Sequence, residues 1–148
     1  MEINKIGLAS DHAGFEIKEV VKHFLDEWLP EAEIYDFGTY SDDRVDYPDY
    51  GHKLGDAIDS GEVDWGVAVC GSGNGISMTL NKHPKVRAGL AWDVEQAHLT
   101  RQHNDANVLS LPGRFVNADE ARAIAREFFE TEFEGGRHID RVNKIPVK

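Results

Sequence analysis

The chemistry of this chain is organised around its only cysteine. Cys70 ends the apolar run Val67-Ala68-Val69 and is followed by Gly71-Ser72-Gly73-Asn74-Gly75, with glycines at alternating positions, then Ile76, Thr79 and Leu80 at helical spacing. That pattern reads as buried strand, tight loop and helix. Glycines let a loop present backbone N–H groups and let a ligand approach closely. The start of the helix adds unpaired N–H groups and a positive dipole end. The stretch is therefore a candidate anion cradle with a thiol at its lip. A thiolate is favoured in such a place and could serve as nucleophile or general base. The alternative is a structural turn in which Cys70 is a small buried apolar residue. A redox cycle lacks a resolving partner cysteine, and Gly71-Ser72-Gly73 is not the G-x-S-x-G of a hydrolase elbow.

Three other clusters carry candidate groups. Asp11-His12 directly follows a strand-like run, where a histidine can bind phosphate or move protons near neutral pH. It can equally be a turn that caps the next helix. Arg101-Gln102-His103-Asn104-Asp105 ends a predicted helix, where a histidine also suits the negative dipole end. Arg137, His138 and Arg141 lie in a basic tail. Arg137 and Arg141 would share a face if helical, and guanidinium groups suit phosphate, although a solvated basic tail is the plainer reading. The seven histidines show no H-E-x-x-H and no cysteine pair, so no metal is expected.

The elements that must position these groups alternate along the chain. Strands are predicted at Lys5–Ser10, Glu33–Gly38, Trp65–Val69, Val86–Ala91 and Asn107–Leu111. Amphipathic helices are predicted at Phe15–Trp28, from about Asp49 to Ser60, Gly75–Asn81, from about Asp93 to Gln102, and from Asn117, whose Glu120 three residues on completes a capping box. Alternation implies parallel strands joined by helical crossovers, hence an α/β three-layer sandwich with a doubly wound sheet. Ligands of such folds bind beyond the carboxyl ends of the strands, where strand order reverses. Asp11-His12, the Cys70 loop and the segments after strands 4 and 5 should then share one end of the sheet. The loop holding His103 should start at the opposite end, too far to serve its own Cys70, though it could serve a neighbouring subunit.

With 148 residues, 41% of them hydrophobic, the chain suits one domain, residues 1–148, ending in a basic arm at about 135–148. Its formal charge of −11, from 27 acidic and 16 basic residues, excludes a nucleic-acid partner but not a small anion held locally. Met1–Lys5 leads directly into a strand-like run without a leader pattern, and no apolar run approaches membrane length. With one cysteine, the expected compartment is the reducing cytoplasm.

Ser10-Asp11-His12-Ala13-Gly14-Phe15, Asp46-Tyr47-Pro48, Cys70 to Ser77, Arg101 to Asn107 and Gly135 to Val142 occur in this order. Together they resemble the ribose-5-phosphate isomerase B family, which includes galactose-6-phosphate isomerase subunits. The resemblance covers nearly the whole chain. It implies a Rossmann-like five-stranded parallel sheet and a metal-independent aldose–ketose isomerase without cofactor. Its substrate would be a phosphorylated sugar, and its sites would be shared within a homodimer that can pair into a tetramer. By the resemblance Cys70 is the base and Gly71, Gly73, Asn74 and Gly75 belong to the loop that holds the enediolate oxygens. Ser72 moves protons between oxygens, His103 opens the sugar ring and Asp11 assists it. His12, Arg137 and Arg141 match phosphate ligands with His138 nearby, and Tyr47 and Asn104 match substrate contacts. A glutamate serves as base in another branch, but Ile76 stands in that place here. Ribose 5-phosphate is the expected substrate, with allose or galactose 6-phosphate, or noncatalytic phosphate binding, as alternatives.

Overall fold

The computed structural model describes residues 1–148. Five strands, β1 (Lys5–Ser10), β2 (Glu33–Asp36), β3 (Trp65–Cys70), β4 (Ala88–Leu90) and β5 (Val108–Pro112), form one parallel sheet in the order β2-β1-β3-β5-β4. Six helices accompany them: α1 (Phe15–Trp28), α2 (Tyr47–Ser60), α3 (Asn74–Leu80), α4 (Val94–Gln102), α5 (Ala118–Glu130) and α6 (His138–Asn143). A single hand of crossover accounts for the layers. The steps β1 to β2 and β4 to β5 run one way across the sheet, and β2 to β3 and β3 to β4 run the other way. Accordingly α1, α4 and α5 bury Val21, Ala97 and Phe128 on one face, while α2 and α3 bury Leu54 and Ile76 on the other. The expected three-layer α/β sandwich is present.

Alternation along β3 divides its side chains between the two cores, with Val67 and Val69 on the α1 side and Ala68 and Cys70 on the α3 side. β1 and β3 are neighbours, yet the chain leaves β1 toward one face and β3 toward the other. The order of connection reverses between them, which opens a crevice at their carboxyl ends.

The element boundaries depart from the sequence expectation where side chains replace the backbone ladder. β4 is shorter than Val86–Ala91 because Asn81 brackets its first residue, accepting from the Ala88 amide at 2.8 Å and donating to its carbonyl at 3.0 Å. The Arg87 amide is taken by the Asn107 side chain at 2.8 Å. α2 begins at Tyr47, earlier than Asp49, because Pro48 is compatible with a first turn. Asn117 and Glu120 form the expected capping box of α5.

The apolar stripe of α1 also contains an unexpected cation. The Lys18 side chain is 1% exposed and its ammonium reaches both oxygens of Asp36, at 2.7 and 2.8 Å. Burial raises the Asp36 carboxyl's pKa. The Lys18 hydrogen bonds, the Gly38 amide and Lys22 outweigh that and hold it below the usual carboxylate range.

Candidate active site

The carboxyl ends of β1, β3 and β5 meet through backbone contacts. The Asp11 amide donates to the Val69 carbonyl at 3.3 Å, and the Gly113 amide donates to the Cys70 carbonyl at 2.8 Å. The Arg114 amide donates to Gly71 at 3.0 Å, and the Ala91 amide beyond β4 donates to Ser110 at 3.0 Å. The segments expected at one end of the sheet are thus gathered there. Gly14 allows the closest of these approaches, because a Cβ there would collide with the Val69 carbonyl.

Cys70 is the last residue of β3 and 4% exposed. The loop after it turns at Gly73, whose φ of 77° places it in the left-handed region. The Gly73 carbonyl is fixed from two sides, by the Ser77 hydroxyl at 2.7 Å and the buried Ser110 hydroxyl at 2.9 Å. The Ser72 hydroxyl accepts from the Asn74 amide at 3.2 Å. The amides of Gly71, Ser72 and Gly73 have no acceptor within the chain. A row of free N–H groups beside a thiol can stabilise oxygen anions.

The crevice walls follow from the same packing. Asp11 is buried and its carboxylate accepts from the Gly14 amide at 3.0 Å, so it shapes the turn into α1. His12 Nδ1 lies 3.2 Å from both the amide nitrogen and the carbonyl oxygen of Val45, which orients the ring whichever nitrogen carries the proton. The Tyr47 ring lies over the cradle, since a Cβ added at Gly75 would come 2.5 Å from its Cζ. Arg114 was not singled out from the sequence. Its Nε would stand 3.3 Å from a Cβ at Gly71, placing a cation beside the cradle. The signal was Pro112-Gly113-Arg114 directly after the fifth strand, at the predicted ligand end.

His103 lies elsewhere. It caps the C-terminus of α4 beside Arg101, whose guanidinium sits 4.8 Å from the ring of Trp65, the first residue of β3. Cys70 ends that same strand, roughly 16 Å further along at about 3.3 Å per residue. The structure therefore does not bring His103 and Asn104 to the Cys70 of their own chain. It does bring His103 to the C-terminal arm. The Glu134 amide donates to the Gln102 carbonyl at 3.0 Å, and the His103 and His138 rings stack with centroids 4.4 Å apart. The arm is thus not simply a solvated tail, because α6 docks through His138, which is 5% exposed. Arg137 precedes this helix and Arg141 lies within it, and both are exposed. Burial lowers the His138 pKa, and the positive Arg137 and the His103 ring lower it further, outweighing the opposing pull of Glu134, with Arg141 adding a lesser push. His103, Glu134 and His138 also place potential metal-ligating atoms within 4.8 Å of one another. No sequence spacing announced that group, because fold contact brings together residues far apart in the chain.

Two hollows of the single chain lie away from Cys70, about 600 Å³ beside α1 and about 510 Å³ between α4 and α5. No helix is long and apolar enough to cross a membrane.

Residues 6–145 match the family model described as Ribose/Galactose Isomerase. The chain belongs to the ribose/galactose isomerase family. This isomerase family member is 40% identical to ribose-5-phosphate isomerase B of Escherichia coli, over 97% of this chain and 95% of that protein. It superposes on a ribose 5-phosphate isomerase structure from Thermotoga maritima with TM-score 0.92 and 46% identity, covering 98% of this chain and 99% of the other. It is similarly close to a Mycoplasma genitalium ribose-5-phosphate isomerase B structure with bound ribulose-5-phosphate. That match has TM-score 0.90 and 37% identity, covering 97% and 95% of the two chains.

Proposed function

We propose that this aldose–ketose isomerase interconverts ribose 5-phosphate and ribulose 5-phosphate. The observation that carries the reading is Cys70 at the end of β3 beside the acceptor-free amides of Gly71, Ser72 and Gly73. The Escherichia coli relative bears the name of this activity, and the Mycoplasma genitalium relative is described with the ketose bound.

The Cys70 thiolate takes the proton from C2 of the open-chain aldose. The C–H electron pair becomes the C1–C2 double bond of a cis-enediolate, and charge moves onto O1. Such a proton is acidic enough only if that charge is stabilised, and the loop amides supply the stabilisation. Gly75 and Asn74 continue the cradle into α3. The Ser72 hydroxyl relays a proton from O2 to O1, and the Cys70 thiol returns its proton to C1, leaving the ketone at C2. Tyr47 covers the cradle and Arg114 adds positive charge beside it.

His103 opens the furanose ring from a second subunit, with Asp11 across the interface and Asn104 contacting the sugar. The stacking of His103 on His138 supports a joint role, because the arm residues Arg137, His138 and Arg141 travel with His103. They meet the phosphate opposite His12. Exposed Met78, Trp92 and Phe115, between 53% and 73% accessible, suit such a homodimer interface, which can build further into a tetramer. The whole chain, residues 1–148, acts as one domain in this reading, in a reducing cytoplasm that keeps Cys70 free.

Solvent deuterium entering ribose 5-phosphate, followed by NMR alongside ribulose 5-phosphate formation, tests the reading. Binding without exchange at C2 would leave a noncatalytic phosphate-binding module. A kcat/KM higher for allose or galactose 6-phosphate would move the substrate to six carbons. Turnover should survive a strong chelator, and loss restored by added metal would overturn the metal-free account.

A further inference from the structure

We propose that His103, Glu134 and His138 form an inhibitory site for a divalent transition-metal ion of the zinc type. Their candidate ligand atoms lie within 4.8 Å of one another. A tetrahedral zinc shell with bonds of about 2.0–2.1 Å sets ligand atoms roughly 3.4 Å apart, so closing the group takes a side-chain shift of about an ångström. It also takes a turn of the His103 ring out of its 16° stack on His138, which lets the nitrogen lone pairs converge. Glu134 is free to supply it. Its side chain is exposed and held only by a 3.7 Å ion pair with Arg137, and such surface pairs contribute little.

An independent observation points to a ligand. His138 is 5% exposed, and its Nε2 is buried without any hydrogen-bond partner. An orphaned imidazole nitrogen in a stacked pair of histidines is costly unless something binds there. Two imidazoles and one carboxylate form the donor set of open zinc sites. The neighbouring guanidinium groups of Arg137 and Arg141 repel cations held by charge alone, as magnesium and calcium are. They discriminate less against an ion bonded directly to imidazole nitrogen.

The inhibitory role rests on the proposed part of His103 in ring opening. Metal on its imidazole would remove it as an acid or base. The site itself is tested without substrate. Zinc sulfate titrated calorimetrically into chelator-stripped protein should bind at about one ion per chain, and Glu134→Gln should weaken binding at least tenfold. Cys70→Ser and His83→Asn should leave binding unchanged. His83 matters because it forms a separate cluster with His52 at 2.8 Å and Asp59 at 3.0 Å.

Zinc should also inhibit sugar-phosphate turnover, with about tenfold more needed for Glu134→Gln, whose metal-free turnover should equal that of the unaltered protein. Absence of binding, equal affinity in Glu134→Gln, or loss of binding in His83→Asn or Cys70→Ser would overturn the site. Binding that depends on Glu134 but leaves turnover untouched would overturn the inhibitory role. If no sugar phosphate turns over at all, the proposed activity fails while calorimetry still decides the site.

Discussion

The two ends of the sheet are built by different physics. At the carboxyl end, backbone meets backbone: the Asp11 amide on Val69, Gly113 on Cys70, Arg114 on Gly71. Small residues allow that approach and leave free N–H groups. At the amino end, side chains do the work. Arg101 is 2% exposed and donates to the Thr131 and Ala106 carbonyls at 3.0 and 2.7 Å and to Asp105 at 2.9 Å. His103 and His138 stack beside it. The first end suits an anion that forms and disappears, and the second presents imidazole and guanidinium groups. One chain holds them a strand length apart, and in the proposed mechanism the site is complete only where two copies in contact unite them.

Removing the proposed base should give the largest effect. Cys70→Ala should lower kcat by about 10²–10⁴-fold, the usual scale for losing a positioned acid or base, with an unchanged circular dichroism spectrum. Near-normal turnover would return Cys70 to the role of a packed core residue. A sharper test of the comparison mixes two inactive proteins, Cys70→Ala and His103→Asn, after dissociation and reassociation. A shared site predicts recovery of roughly a quarter of normal activity, because half of random dimers are mixed and each mixed dimer holds one intact site. No recovery, with mixed dimers demonstrated by mass, would mean that the two ends do not cooperate.

The contrast in construction should also be visible in stability. Arg101→Leu strips a buried cation from several acceptors and should cost about 3 kcal/mol, in the range for breaking a buried charged network. Gly14→Ala forces a methyl against the Val69 carbonyl and should cost about 1–3 kcal/mol, the scale of overpacking. Urea midpoints for both variants check this. A neutral Gly14→Ala would refute the claim that close backbone approach builds the carboxyl end.

The sequence exposed the two ends unequally. The carboxyl end was legible because its chemistry is local: a strand, a glycine loop and a helix start appear in order around Cys70, and parallel topology dictates where the loop must lie. The strand order was less accessible. β5 inserts between β3 and β4, and nothing in an alternating pattern of strands and helices specifies that swap. Lys18 was hidden because a cation inside an apolar stripe reads as a break in the pattern until Asp36 is known to lie across from it. The amino end was hardest. His103 and His138 are separated by β5 and α5, so their stacking depends on where the fold returns the arm. The sequence resemblance assigned both residues to a site, but only the three-dimensional contact links the arm to His103.

That contact provides the smallest predicted effect and the most specific one. The folded His138 pKa lies below the ordinary histidine value of about 6.5, burial being the largest cause and its positive neighbours adding to it. Docked His138 therefore binds a proton less readily than His138 in a released arm. The docking contribution is complete above about pH 6.5 and declines as pH falls through that value toward the lower folded pKa. The protection factors of the Ile139 to Asn143 amides, exchange corrected for its intrinsic slowing with falling pH, should drop below about pH 6.5, while those in β3 should not follow the same profile. His138→Asn should remove the pH dependence in α6 and leave the sheet as it was. If α6 and β3 instead share one pH profile in the unaltered protein, the two ends are coupled through the fold. His138 would then not be acting as a local proton-sensitive anchor of the arm.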